Sequence, residues 1–143
     1  MSAQELGADG APRLLLAEDN PLNQRILVAI LCKFGWEVDV AENGRRAVEM
    51  ASATPYDLVL MDVLMPEMDG IAALEKIRAF EGDAGQVPIV AITAHTREDD
   101  KAHFLSLGFD GYVGKPIHVQ ELVSVVGRCL VAAKRTATMA NGA

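Results

Sequence analysis

Tyr56-Asp57-Leu58-Val59-Leu60-Met61-Asp62-Val63-Leu64-Met65-Pro66-Glu67-Met68-Asp69-Gly70 sets an unbroken apolar run directly before an acid and then a turn. A run that is apolar at every position fits a strand covered on both faces, as in a parallel sheet, better than a strand half open to water. Pro66 and Gly70 punctuate the residues after Asp62. Asp62 is therefore expected at the C-terminal end of a buried strand, where a carboxylate meets the loops instead of the core.

Outward from this stretch, Leu14–Ala17, Trp36–Val40, Ile89–Thr93 and Gly111–Val113 read as further strands, separated by amphipathic segments. Strand and helix in alternation predict βα units and a parallel sheet with helices on both faces. Trp36-Glu37-Val38-Asp39-Val40 alternates apolar with polar, which marks an edge strand. The first helix has Asn20 as N-cap, Pro21 at N1, apolar residues at Leu22, Ile26, Ala29, Ile30 and Phe34, and a stop at Gly35. Later helices are expected near Asn43, near Asp69, at Thr96 and near His118, with Thr96 and Asp99 forming a capping box. If the chain reverses direction after strand 1, the strand order is 2-1-3-4-5. That is a doubly wound, flavodoxin-like α/β fold of five strands and five helices, whose ligands sit at the carboxyl ends of strands 1 and 3.

A chain of 143 residues, half of them hydrophobic, suits one domain with a full core. Its expected span is residues 13–133, with residues 1–12 and 134–143 as disordered tails, because both ends are small, polar and aperiodic. A net charge of −7 without clustered Lys or Arg argues against nucleic acid as a partner. No apolar stretch approaches the roughly 20 residues needed to span a bilayer, and residues 1–12 lack the features of a signal peptide. A cytoplasmic protein without membrane contact is expected. Cys32 and Cys129 read as free thiols, and Met50, Met61, Met65 and Met68 as fillers of core gaps.

Strand 1 ends in Glu18-Asp19, strand 3 in Asp62, strand 4 in Thr93 and strand 5 in Lys115-Pro116. Carboxylates gathered at one edge repel, by about 4 kcal/mol for a unit pair at 4 Å and an effective dielectric near 20. A hard divalent cation offsets this, and Mg²⁺ prefers one or two carboxylates together with water and phosphate oxygens. Asp19 and Asp62 are candidate direct ligands, with Glu18 on a metal-bound water and a backbone carbonyl just past Asp62 completing the protein's share. The plain alternative for Glu18-Asp19-Asn20 is a helix N-terminus that favours acids through the macrodipole. Lys115 could pair with a carboxylate or a phosphoryl oxygen, or be a solvated loop lysine. Pro116 occupies a position where a cis bond in a tight turn would fix its neighbour's direction. Thr93 could donate its hydroxyl to an acceptor oxygen at the same edge.

Leu15-Leu16-Ala17-Glu18-Asp19-Asn20, the Met61–Gly70 stretch, Ile92-Thr93-Ala94 and Gly111-Tyr112-Val113-Gly114-Lys115-Pro116 together resemble the receiver domain of two-component response regulators. Four strand-end motifs in order make the match specific. Glu18-Asp19-Asn20-Pro21-Leu22-Asn23-Gln24 further resembles receivers attached to hybrid sensor kinases. The resemblance implies that Asp62 takes a phosphoryl group from a histidine kinase or histidine phosphotransfer protein. Glu18, Asp19, Asp62 and the Leu64 carbonyl would hold Mg²⁺, and Lys115, Thr93 and the Ala94 amide would bind phosphoryl oxygens. It also implies a switch in which Tyr112 turns inward as Thr93 moves, exposing a changed surface to a downstream protein. Leu64 and His95 would govern water access, and the chain would be a monomer or a phosphorylation-dependent dimer. His103 and His118 read as surface or capping residues.

Three other readings compete. A haloacid dehalogenase-like phosphatase also phosphorylates a strand-end aspartate, but needs a second acid two residues on, where this chain has Leu64. A flavodoxin-like cofactor binder needs a phosphate-cradling loop after strand 1, where Glu18-Asp19 has the wrong sign. An unphosphorylated interaction module would have no need of every acid together with Lys115. The chain is therefore expected to catalyse only its own phosphorylation and dephosphorylation.

Overall fold

The computed structural model describes residues 11–65, 68–95 and 97–142. Five strands, β1 (Arg13–Ala17), β2 (Glu37–Ala41), β3 (Leu58–Asp62), β4 (Ile89–Thr93) and β5 (Gly111–Gly114), alternate with helices α1 (Pro21–Lys33), α2 (Gly44–Ala53), α3 (Gly70–Arg78), α4 (Glu98–Leu107) and α5 (Val119–Gly142). A short 3-10 turn, Gly82–Gln86, precedes β4. All pairings are parallel and the order is β2-β1-β3-β4-β5, the doubly wound arrangement expected, with alternating β2 at one edge.

Because successive strand residues point to opposite faces, each central strand feeds two cores. Leu14, Leu16, Leu58, Leu60, Val90 and Ile92 meet Leu27 and Leu31 of α1 and Leu122, Val125 and Val126 of α5. Leu15, Ala17, Val59, Met61, Ile89 and Ala91 meet α2, α3 and α4 through Ala47, Leu74, Ile77 and Phe104. At the N-terminal edge of the sheet the polar groups are paired. Arg13 and the Tyr56 hydroxyl share an Asp39 carboxylate oxygen at 3.1 and 2.7 Å, and Arg78 meets Asp110 at 2.6 Å.

The caps agree closely with the sequence. Asn20, Asn43 and Asp69 each accept from a backbone N–H three residues on, and Gly35 after α1 takes φ +89°, a conformation that favours glycine. Three expectations need correction. The buried face of α1 carries Leu27 and Leu31, whereas Leu22, Ile26 and Phe34 are 63%, 46% and 50% exposed. Two apolar stripes lie about 100° apart on this helix, one residue out of phase, and only the fold selects which is covered. At α4, Thr96 falls outside the described residues, the helix starts at Glu98, and Asp100 accepts from the Arg97 N–H at 3.3 Å. Acids at 98, 99 and 100 all suit a first turn, so the pattern leaves the register open by one residue. Finally, α5 continues to Gly142, through residues expected to be a tail. Its Ala, Met, Lys and Arg residues are strong helix formers, and small size and lack of periodicity do not oppose helix extension. Among the described residues, no helix is long and apolar enough to cross a membrane.

The corrected α1 face gives a direct test. Leu31→Ala is expected to reduce unfolding free energy by about 2–5 kcal/mol, and Leu22→Ala by less than about 0.5 kcal/mol. Urea denaturation of both variants measures this, and equal losses would contradict the assignment.

Candidate functional site

The parallel topology carries every strand-end residue to one edge. Glu18 and Asp19 follow β1, Asp62 closes its neighbour β3, Thr93 closes β4 and Lys115 follows β5. The carboxylates of Glu18, Asp19 and Asp62 each offer an oxygen within 4.8 Å of the others. Glu18 and Asp62 are buried, and Asp19 is exposed at the mouth.

Asp62 is held by both oxygens. Oδ1 accepts from the Leu64 N–H at 3.2 Å, and Oδ2 from Lys115 Nζ at 3.0 Å. The Lys115–Pro116 peptide is cis, and the Lys115 N–H donates to the Thr93 carbonyl at 2.9 Å, which fixes the lysine beside the end of β4. Thr93 is buried, and its hydroxyl oxygen accepts from the His95 N–H at 3.0 Å. Ala94 and His95 are exposed, as is Leu64.

Glu18 is placed by Asn20, Asn23 and Gln24, which the sequence offers as a helix cap and a motif but not as partners of this acid. The Asn20 N–H donates to Oε2 at 3.1 Å, Asn23 Nδ2 reaches the same oxygen at 3.5 Å, and Gln24 Nε2 donates to the Glu18 carbonyl at 2.7 Å. Asn20-Pro21-Leu22-Asn23-Gln24 is legible as a motif, but its work on Glu18 depends on α1 folding back over β1. Among the described residues Glu18 Oε1 is buried without a hydrogen-bond partner. Burial raises the Glu18 carboxyl above its ordinary value of 4.5, the Asn20 N–H opposes this, the neighbouring Asp62 charge adds to it and Lys115 lowers it. A buried oxygen without a donor, in a cluster of three acids facing one lysine, fits an oxygen-seeking divalent cation such as Mg²⁺.

Tyr112 is expected to turn inward during switching, yet its ring is already inside. The residue is 8% exposed, with its centroid 6.2 Å from that of Phe104 and its hydroxyl donating to the His95 carbonyl at 2.9 Å. Lys101 Nζ lies 5.5 Å from the ring centroid. The backbone of His95 thus meets Thr93 through its N–H and Tyr112 through its carbonyl. His103 and His118 stand apart from the acid cluster, in α4 and just before α5, and Cys32 and Cys129 are free.

Comparison with known proteins agrees with this geometry. Residues 14–127 match the model of the response regulator receiver domain. Sensor protein GacS of Pseudomonas syringae pv. syringae is 45% identical over 118 residues, covering 81% of this chain and 13% of that protein. The signal transduction histidine-protein kinase BarA of Escherichia coli K12 is 36% identical over 118 residues, covering 82% of this chain and 13% of its own length. The chain therefore spans about one eighth of these relatives. Among solved structures, the receiver domain of sensor histidine kinase PA1611 from Pseudomonas aeruginosa PAO1, with a magnesium ion coordinated in its active site cleft, superposes with TM-score 0.77 at 37% identity. The match covers 84% of this chain and 98% of that one.

The position of Glu18 leads to two effects of opposite sign. The unfolded carboxyl releases its proton near 4.5 and the folded one at higher pH. The metal-free fold therefore loses stability as pH rises from that value through the raised folded value. Glu18→Gln is expected to raise the metal-free unfolding midpoint at pH 7 while weakening Mg²⁺ binding, and the stability gain should fade below pH 4.5, where Glu18 is protonated in both states. Denaturation with a chelator at several pH values, paired with Mg²⁺ calorimetry, measures both. A metal-free variant less stable than wild type at pH 7 would contradict the account of Glu18.

Proposed function

From the premise that the chain belongs to the response regulator receiver domain family, we propose that Asp62 is its phosphoacceptor. The donor is the phosphohistidine of a histidine kinase or histidine phosphotransfer protein. The observation that carries this reading is the convergence of Glu18, Asp19 and Asp62 within 4.8 Å, with Lys115 Nζ 3.0 Å from Asp62. Asp19, Asp62 and the Leu64 carbonyl would hold Mg²⁺, with Glu18 ordering a water beside it; when bound, the ion offsets the carboxylate charge and that of the incoming phosphoryl group.

An Asp62 carboxylate oxygen attacks phosphorus as the P–N bond to the donor imidazole breaks. That bond's electrons return to the ring nitrogen, which takes a proton. Phosphoryl transfer of this kind needs positioning and charge stabilisation more than an added base. Lys115, the Thr93 hydroxyl and the Ala94 N–H supply donors for the phosphoryl oxygens. No acid at position 64 is available to turn over small phosphate esters, so self-phosphorylation and decay are the chain's own chemistry. Leu64 and His95, both exposed beside the acceptor, control water access to the acyl phosphate.

The added phosphoryl oxygens attract the Thr93 hydroxyl, which then drops the His95 N–H. Tyr112 holds the carbonyl of the same residue, so His95 and the tyrosine respond together without the ring having to enter from solvent. The output is read by a downstream protein on the surface of α4, β5 and α5. The donor docks on α1, whose uncovered Leu22 and Ile26 lie in the first two turns of the helix that starts two residues after Asp19. The domain works in the cytoplasm, as a monomer or as a dimer formed on phosphorylation.

Incubation with Mg²⁺ and acetyl phosphate should add one phosphoryl mass, mapped by peptide mass spectrometry to Asp62 and lost in Asp62→Asn or with chelator. Ile26→Asp should retain this labelling but accept phosphate from a phosphorylated histidine phosphotransfer domain about tenfold more slowly, the effect of losing roughly 1.4 kcal/mol of docking. Absence of label would refute the acceptor, and an unchanged transfer rate would refute α1 as the docking face.

A further inference from the structure

Gly44 is the first residue of α2, buried and distant in sequence from every acid of the crevice. A Cβ built on it would fall 2.1 Å from the Met68 carbonyl oxygen and 2.9 Å from the Met68 carbonyl carbon. Non-bonded carbons prefer separations of about 3.5–4.0 Å, so this is backbone against backbone with no room for a methyl group. The φ of Gly44 does not lie in the left-handed region. Absence of a side chain, and not backbone freedom, is what the position requires.

Met68 belongs to the loop that leaves Asp62, and that loop is gripped a second time at its exit. A Cβ on Gly70 would lie 2.5 Å from the Asp62 carbonyl oxygen, and the Gly70 N–H donates to the Val63 carbonyl at 2.9 Å. Gly70 so ties Met68 back to Val63 and hence to the adjoining Leu64, whose N–H holds Asp62 Oδ1 and whose carbonyl is the one backbone group proposed for the metal. The Asn43 side chain accepts from the Arg46 N–H at 2.7 Å and fixes where α2 begins, so the helix end forms a stop against which the loop is seated.

We propose that Gly44 is a positioning residue for the phosphoacceptor site: its bare backbone lets Met68 seat on the start of α2, and Gly70, bonded to Val63, carries that placement to the Leu64 peptide beside Asp62. The inference rests on the reading of Asp62 as a metal-assisted acceptor. Restoring an ordinary contact at Gly44→Ala requires the Met68 carbonyl or the start of α2 to shift by about 1 Å, and a misplacement of that size can reduce rate by about 100-fold.

The test uses the full chain as wild type, Gly44→Ala, Met68→Gly and Ala51→Gly. Met68→Gly loosens the loop without any clash, and Ala51→Gly destabilises the same helix away from the loop. Mg²⁺ affinity by calorimetry, the Leu64 amide shift by NMR, urea midpoints and acetyl phosphate labelling are measured for each. Gly44→Ala is expected to weaken Mg²⁺ binding at least tenfold, move the Leu64 amide resonance and slow labelling. Met68→Gly should weaken Mg²⁺ severalfold, and Ala51→Gly should keep wild-type affinity despite its lower midpoint. Wild-type affinity in folded Gly44→Ala would overturn the proposal. If Gly44→Ala does not fold, wild-type affinity in Met68→Gly would overturn it; so would an equal loss of affinity in Ala51→Gly. Failure of wild type itself to bind Mg²⁺ or take label would instead refute the acceptor reading, which keeps the two failures distinct.

Discussion

Like charge held at close range at the carboxyl edge of a parallel sheet is the constraint on which the site depends. Glu18 and Asp62 are buried, Asp19 stands within reach of both, and the nearby cation is Lys115. One ammonium cannot neutralise three carboxylates, and it already holds Asp62 Oδ2. At the opposite edge of the same sheet, Arg13, Asp39 and Tyr56 pair among themselves, as do Arg78 and Asp110. The imbalance is local to the crevice, and it fits a divalent cation, beside which the proposed phosphoacceptor Asp62 would act.

The rest of the fold keeps that imbalance in place. The β1–β3 and β3–β4 pairings bring the acids to adjacent strand ends. The start of α1 supplies donors to one Glu18 oxygen, leaving the other buried and, among the described residues, without a donor. Lys115 is set by its own N–H on the Thr93 carbonyl, so the lysine and the threonine belong to one corner. Thr93, the His95 backbone and Tyr112 then form a short chain of hydrogen bonds from the end of β4 to β5. Each of these hydrogen bonds is worth about 1 kcal/mol net, small enough to be exchanged when a charge arrives nearby.

Most of the fold and the acid cluster are legible in the order of residues alone. Leu58–Met61 and Ile89–Ile92 lack alternation, Trp36–Val40 has it, and each strand-end residue sits at a change from apolar run to turn. Parallel topology then places all such ends together, which makes Asp62, Asp19, Lys115 and Thr93 neighbours by necessity. The features that escape such reading depend on contacts between distant residues. Either stripe of α1 could face the core, and only the sheet selects Leu27 and Leu31. The start of α4 lies in a run of acids that would each serve a first turn. The orientation of Tyr112 is set by packing against Phe104, and the need for glycine at 44 by a loop that passes two elements later.

The central claim is that these acids form a cation site that Asp62 needs in order to act, and thermal unfolding against Mg²⁺ concentration tests it most directly. At a hundredfold excess of Mg²⁺ over its Kd, wild type should gain about 2.7 kcal/mol, seen as a rise of several degrees in Tm. Asp62→Asn combined with Asp19→Asn should be more stable than wild type without metal and insensitive to its addition. A wild-type Tm independent of Mg²⁺ through the millimolar range, or an equal rise in the doubly substituted chain, would contradict the account.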